Sequence, residues 1–382
     1  MFDYLYSQEV VTLPLANRRL PGDPADFQGA KIMDRQYTAS VVGGGMGGRL
    51  SLNALAASPR FQLVAAADLR PEARTVLQSE YPGIRLFATH QEMFAECPTD
   101  ITCVSTYPPS HEEVTRDALA SLPLRGILVE KPLGHTAASG RRILEMLQGR
   151  NLPVAVPHGL LARRTPQEII ERVQSGIIGE LKLVEIQCVK WDIINAGIHW
   201  FNFFVRLTNN EPIAHVLAGM DITTRTYRDG MQVETIAVTS VQTVSGIRAI
   251  LHSGDDVQVN APGKDTVFRL VGTRGILEFY GWEKGYVLNG EVVPAPEEFA
   301  VTGHRRHLEH MADQIESGQP DYGIAESSLR ALEICEGAYV SAQNGCRVPF
   351  PLETFAPPDP FNDWRPGEPY SGTGGGRDGR KL

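Results

Sequence analysis

Between Tyr37 and Asp68 the chain reads as a short apolar run, a cluster of glycines, an amphipathic segment and a second apolar run that ends on an acid. The first run, Tyr37 to Val42, has the length of a strand. The segment to Ser58 collects its apolar residues on one helical face, and the run from Leu63 fits a second strand closing on Asp68. The alternation then continues. PEARTVLQSEY predicts a helix, Ile101 to Thr106 a buried strand, HEEVTRDALASL a helix, Gly126 to Glu130 another buried strand, and AASGRRILEMLQGR another helix. Strands alternating with helices of this length predict a doubly wound parallel sheet, an α/β Rossmann domain over residues 37–157.

Past Pro157 the pattern changes. A helix is expected from Thr165 to Ser175, with Thr165 as cap and Pro166 at its first position. Long runs rich in β-branched residues follow: LKLVEIQCVKW, IAVTSVQTV, IRAILHS, TVFRLVGT and GILEFYGW. They predict an α+β domain over 158–355 with a large, mostly antiparallel open sheet. Between the first two runs, Trp191 to Leu207 predicts a helix that begins near Gly197, with Asn195 in the preceding turn. Two amphipathic helices are expected near Arg305 to Ser317 and Ala325 to Ala342. Residues 1–36 read as an N-terminal arm and 356–382 as a Pro/Gly-rich tail.

A chain of 382 residues exceeds one ordinary core, in line with two domains. Net charge of −9 with no dense block of Lys or Arg argues against nucleic acid or an anionic membrane as partner. No apolar run approaches the ~18 residues of a membrane span and no leader pattern opens the chain, so a cytoplasmic protein is expected. The five cysteines are scattered and never in CxxC spacing. They are expected to stay reduced, and no zinc or other metal site is expected.

The chemistry sits at strand ends, where doubly wound sheets bind ligands. Gly43, Gly45 and Gly48 stand in GxGxxG register, with Met46 in the first helical turn. That pattern permits a tight turn, close approach of a pyrophosphate and close helix-strand packing. Asp68, 20 residues after Gly48, is placed to bind a ribose diol, which favours NAD. Arg70, two residues on, is able to accept a 2′-phosphate and keeps NADP open. The turn Thr106 to His111, with Pro108 and His111 among its residues, is expected against the nicotinamide end. Glu130 and Lys131 end a buried strand, where charges require partners or a task. Asn195, His199 and Asn202 recur at spacings of four and three around a turn and helix start.

With GGGMGG, Asp68, TYPPSH, EKP and NAGIHWFN in that order, the chain resembles the Gfo/Idh/MocA family of nicotinamide-dependent sugar and cyclitol oxidoreductases. ARRTP, IIGELKLVEI, LVGTRGILEF and SSLRALEICEGAYVSAQNG add to the match, which covers Tyr37 to Phe350. The resemblance implies that Lys131 orients the reacting hydroxyl and supports its proton transfer, that Glu130 steadies it, and that His199 is the acid or base. It also implies a homo-oligomer, dimer or tetramer, formed through the open sheet. One departure matters: where the family often shows DxGxHxxD, both aspartates are amides here, Asn195 and Asn202. An amide binds a hydroxyl but cannot hold a proton or stabilise an imidazolium. Asp192 is the nearest carboxylate that could take their place.

The expected activity is reversible oxidation of a secondary alcohol on a small polyhydroxy compound. Arg163, Trp191, Asn195 and Asn202 are the expected substrate contacts, the amides to hydroxyls and the indole to a sugar ring. Two other readings stay open: transient oxidation followed by elimination, as in NAD-dependent glycosidases, and a non-catalytic NAD-binding sugar sensor.

Overall fold

A computed structural model describes residues 36–221, 226–229 and 231–352. The predicted N-terminal arm up to residue 35 and the tail from 356 lie outside the described residues. The first sheet is built from β1 (Tyr37–Val42), β2 (Phe61–Ala67), β3 (Arg85–Phe87), β4 (Ile101–Val104), β5 (Gly126–Val129) and β6 (Val154–Ala155). They stand in the order β3-β2-β1-β4-β5-β6 and every pair is parallel. The connections are α1 (Met46–Ala57), α2 (Pro71–Glu80), α3 (His90–Glu96), α4 (His111–Ser121) and α5 (Ala137–Gln148). β4 and β5 are buried along their whole length because helices cover both faces, which is why they read as unbroken apolar runs. Order reverses beside β1, and the ends of β1, β2, β4 and β5 open there onto one crevice.

The chain continues through α6 (Arg164–Gln174), β7 (Leu181–Val189), α7 (Ile198–Leu207), β8 (Ile213–Asp221), β9 (Thr226–Arg228), β10 (Met231–Val233), β11 (Ile236–Thr243) and β12 (Arg248–Gly254). Then come β13 (Thr266–Gly272), β14 (Ile276–Phe279), β15 (Tyr286–Leu288), β16 (Glu291–Val293), α8 (Gly303–Ser317), α9 (Gly323–Asn344) and β17 (Val348–Pro349). Nine of these strands form a second sheet, β16-β15-β14-β13-β7-β12-β11-β8-β17, antiparallel except where β7 meets β12. β7 alternates buried and more open positions, the mark of a sheet covered on one face. The covering layer includes α7, whose Trp200, Phe201, Phe203 and Phe204 are all buried. On the other face Leu217, Val238, Ile250 and Ile276 remain exposed, and the strand register puts them on one side.

Three local details differ from the sequence reading. α6 starts at Arg164 rather than Thr165, with Arg163 in extended backbone before it, and Thr165 Oγ1 instead accepts from the Gly285 amide at 3.2 Å. The helix expected near Gly197 begins a turn earlier, as a π-helical turn Ile193–Gly197 capped by Asp192, so Asn195 is helical. The short β3, α3 and β6, and β8 with its interior His215 and Gly219, carry too little periodicity to be read from the sequence.

α8 has the largest consequence for the site. It returns to the first sheet, where Leu308, Met311 and Ala312 join a core with Leu52 and Leu55 of α1 and Leu128 of β5. Among the described residues no helix is long and apolar enough to cross a membrane.

α9 meets the start of α5 through Glu336, whose buried carboxyl accepts from the Ala137 amide at 2.5 Å. Burial pushes this carboxyl from 4.5 up to about 8. The unfolded chain therefore releases the proton first, and stability falls as pH rises from about 4.5 to about 8. Glu336→Gln keeps the acceptor and removes the titration. In melts at acid and at mildly alkaline pH, the variant should gain on the wild type by on the order of 1–3 kcal/mol across that window.

Candidate active site

The glycine turn after β1 is shaped by contacts that no side chain would fit. Gly43 has φ of +100°, and a Cβ there would meet Ser105 O at 2.4 Å; a Cβ on Gly48 would meet Gly43 O at 1.8 Å. Around Gly45, in contrast, a Cβ would meet nothing within 4 Å. Gly45 caps α1 without a side-chain hydrogen bond, and no acidic residue stands in the first turn. The first amides of α1 thus face open space with the positive end of the helix dipole behind them, which fits a pyrophosphate. Met46 is exposed at the same edge.

Asp68, just past β2, accepts from the Gly44 amide at 2.7 Å, which ties the acid to the turn. Its oxygens also take a forked pair from Arg70, Nε and Nη2 each at 3.0 Å. Burial pushes the Asp68 carboxyl up, but the hydrogen bonds from Arg70 and Gly44 outweigh it and hold the group below its ordinary value. An ionised acid at this place accepts from a ribose diol and repels a phosphate. Arg70 is already bound to that acid, so its charge is largely matched before any ligand arrives.

Past β4, Pro108 is buried at the start of a short 3-10 turn, and Thr106 Oγ1 accepts from Ser110 Oγ at 2.7 Å. His111 departs from its expected role beside the cofactor. Its ring is fully buried, with Nε2 3.0 Å from Thr106 O and Nδ1 3.1 Å from Pro132 O. It pins the turns after β4 and β5 to each other and presents no free nitrogen to a nucleotide.

Glu130 lies against α1, since a Cβ on Gly47 would come within 3.1 Å of its carboxyl carbon. Its Oε1 is 2.7 Å from Nε2 of His304 in the first turn of α8. Burial pushes Glu130 up, while His304, Lys131 and His111 together hold it below the ordinary carboxyl value. The next residue, Lys131, donates from Nζ to the backbone carbonyl of Asn195 at 2.8 Å. That bond spans the crevice between the two sheets.

The π-helical turn carrying Asn195 is tied down from below. Asp192 Oδ1 accepts from the Asn195 amide at 2.8 Å and from its Nδ2 at 3.0 Å. Glu234 accepts from the Ile193 amide at 2.7 Å and from Tyr339 at 3.0 Å. Burial and the nearby Asp192 push Glu234 up to about 7. Arg228 Nε lies 3.5 Å from Asp192 Oδ2.

This arrangement turns two expected substrate contacts, Asn195 and Asn202, away from the cleft. The Asn195 side chain points back to Asp192 and is buried, so its carbonyl, not its amide, faces the cleft. Asn202 is fully buried and its Oδ1 accepts from Ser327 of α9 at 3.4 Å. Trp191 is exposed, with the Arg228 guanidinium over one face of its ring, 4.2 Å from the ring centre. Arg163 is tied to Glu298 and to the carbonyl of Trp282.

His199 is 8% exposed. The edges of His158 and Trp282 enclose it, with ring centres 5.3 and 5.6 Å away. Its Nδ1 is buried without a hydrogen-bond partner. Burial pushes its pKa well down, and Lys131, His158 and His304 push the same way, so the ring is neutral. The sequence reading missed Trp282, the indole that does stand beside His199, and also His158 and His304. Trp282 ends a quoted apolar run and could have been noticed; His304 is 174 residues from Glu130, and no spacing rule links them. Among the described residues no group of three or more His, Cys, Asp or Glu is placed to hold a metal ion.

Residues 38–158 match the Gfo/Idh/MocA family, described as an oxidoreductase family with an NAD-binding Rossmann fold. An uncharacterized oxidoreductase, YfiI, of Bacillus subtilis (strain 168) is 25% identical over 173 residues, 42% of this chain and 44% of that protein, so the chain aligns with less than half of that relative's length. GenD2 from gentamicin A biosynthesis, solved in complex with NAD, shares the fold with a TM-score of 0.69 and 19% identity, over 85% of this chain and 98% of that one. Aldose-aldose oxidoreductase from Caulobacter crescentus, complexed with glycerol, does so with a TM-score of 0.68 and 20% identity, over 83% and 100%. With a glycine turn open to a pyrophosphate and an acid placed for the ribose, residues 38–158 form a Rossmann domain that matches the NAD-binding domain of the Gfo/Idh/MocA oxidoreductase family.

Proposed function

We propose that this chain reversibly oxidises a secondary alcohol of a sugar, cyclitol or related polyhydroxy compound, with residues 37–157 binding the nucleotide and 158–355 the substrate. The observation that carries the reading is the convergence of Lys131, held on the Asn195 carbonyl, with the neutral ring of His199 and the exposed face of Trp282. A bound nicotinamide supplies the hydride acceptor. The Lys131 ammonium stabilises negative charge developing on the substrate oxygen, and the His199 imidazole fixes the hydroxyl by hydrogen bonding. Trp282 offers a flat apolar surface to the carbon face of a ring. The aldose-aldose oxidoreductase of the same fold is complexed with glycerol, a polyol, which supports this substrate class.

Absorbance of reduced nicotinamide, followed with NAD or NADP and a panel of sugars, cyclitols and sugar acids, tests the reading. A rise with one group of compounds is expected. Lys131→Ala should lower turnover by roughly a hundredfold or more while nucleotide affinity stays nearly intact. Full turnover in that variant would remove Lys131 from the chemistry, and a wild type inactive on the whole panel would remove the polyol reading.

The engaged Asp68–Arg70 pair supports NAD over NADP, because a 2′-phosphate would meet the carboxylate and a guanidinium already paired. Titration of intrinsic fluorescence with each nucleotide should give the tighter dissociation constant for NAD. Asp68→Ala should narrow or invert that preference.

The exposed apolar row Leu217, Val238 and Ile250 supports pairing of copies through the second sheet, as a dimer or tetramer. Light scattering is expected to give a mass of at least two chains, and Leu217→Glu with Ile250→Glu should return it to one.

A further inference from the structure

A histidine that takes a proton needs support for its charged form, and His199 has none. Both positions where the resembled pattern carries aspartate are amides whose side chains turn away, to Asp192 and to Ser327. Among the described residues His199 Nδ1 has no acceptor, and the Lys131 ammonium nearby disfavours its charged form. An imidazolium there would be buried, unpaired and repelled.

His304 has what His199 lacks. Its Nε2 lies 2.7 Å from the carboxylate of Glu130, and both side chains are largely buried. A carboxylate only accepts, so Nε2 carries the hydrogen and Nδ1 holds the lone pair. An acid behind an imidazole both fixes its tautomer and stabilises its cation. The pair belongs to the cleft. Glu130 directly precedes Lys131 and lies on the first turn of α1, and the charge of His304 reaches His199. Packing of α8 on α1 and β5, with Gly303 tight against Ala162, delivers His304 to this place. The groups facing the pair are Cys103 on β4, Lys131 after β5, His111 at the start of α4, His199 on α7 and His307 one turn along α8, with His158 after β6 beside His199 and His307. Burial holds His111, His158 and His199 toward the neutral form, and His307 is pushed down to about 3. Glu130 is thus the one carboxylate named in this set.

The geometry points to His304, backed by Glu130, as the group on which the substrate's hydroxyl proton ends, with His199 a neutral hydrogen-bond partner of that hydroxyl. The inference rests on the polyol oxidation proposed above. In the oxidation direction the O–H bond gives its proton to Nδ1 of His304 as the carbonyl forms, and a bound nicotinamide would supply the acceptor for the hydride leaving the carbinol carbon. The proton later leaves to solvent and Glu130 stays ionised throughout.

The test compares His304→Gln, His199→Asn and wild type. Gln still donates to Glu130, so a merely structural role for His304 would survive the change. The inference expects kcat/KM of His304→Gln to fall roughly a hundred- to ten-thousand-fold with loss of the acid limb of its pH profile. Nucleotide affinity should hold within about twofold, since Gln keeps the bond that fixes Glu130. His199→Asn should weaken activity but keep the limb. Side-chain NMR of the nucleotide-free protein gives a readout independent of turnover: the His304 ring should hold its hydrogen on Nε2, a preference lost in Glu130→Gln, while His199 stays neutral. An active wild type whose acid limb survives in His304→Gln, or a His304 ring with its hydrogen on Nδ1, overturns this inference alone. A wild type that reduces no nicotinamide with any polyol overturns the polyol reading, and this inference with it.

Discussion

The hydrogen bond from Lys131 Nζ to the backbone carbonyl of Asn195 joins the two halves of the site. Lys131 follows a strand of the parallel sheet; Asn195 sits in a helical turn that belongs to the other sheet's cover. A flexible ammonium has three donors and many rotamers, and one fixed carbonyl selects among them. The turn that carries this carbonyl is itself fixed, because Asp192 and Glu234 hold the Asn195 and Ile193 amides. The contact uses backbone, so it is indifferent to the Asn195 side chain. That explains how an amide can stand at a position where the resembled pattern has an acid without opening the crevice.

Electrostatics in the crevice follow from burial with few carboxylates. Lys131 and several histidines share a region in which Glu130 is the anion among the groups facing His304. Desolvation then decides which groups carry charge: His111, His158 and His307 stay neutral alongside His199. A cation beside a neutral imidazole suits an oxygen that gains negative charge as it loses its proton. The cluster below the π-helical turn follows the opposite rule. There Asp192 and Glu234 stand close in a buried place, and Glu234 shifts up to about 7, which reduces like-charge repulsion under the turn.

The fold and the nucleotide half of the site were legible along the chain because their determinants are local. Unbroken apolar runs fix β4 and β5, helical periodicity fixes α1, α4 and α5, and the spacing from Gly43 to Asp68 lies within one strand-turn-helix-strand unit. The substrate half was legible only in part. His199 and Lys131 could be named from residue type and position, and both lie at the crevice. Asn195 and Asn202 were assigned side-chain roles that the packing does not allow, because spacing gives a face but not which neighbour occupies it.

The sequence by itself therefore determined the two-sheet architecture, the glycine turn and its acid, and the two residues at the ends of the crevice, all of which depend on patterns a few residues long. Tertiary structure alone decided which groups touch: the Lys131 bond to a carbonyl 64 residues away, the Trp282 edge on His199, and above all the return of α8 that sets His304 against Glu130. Those contacts arise from how helices pack across a sheet, and no periodicity within one element encodes where a distant element will lie.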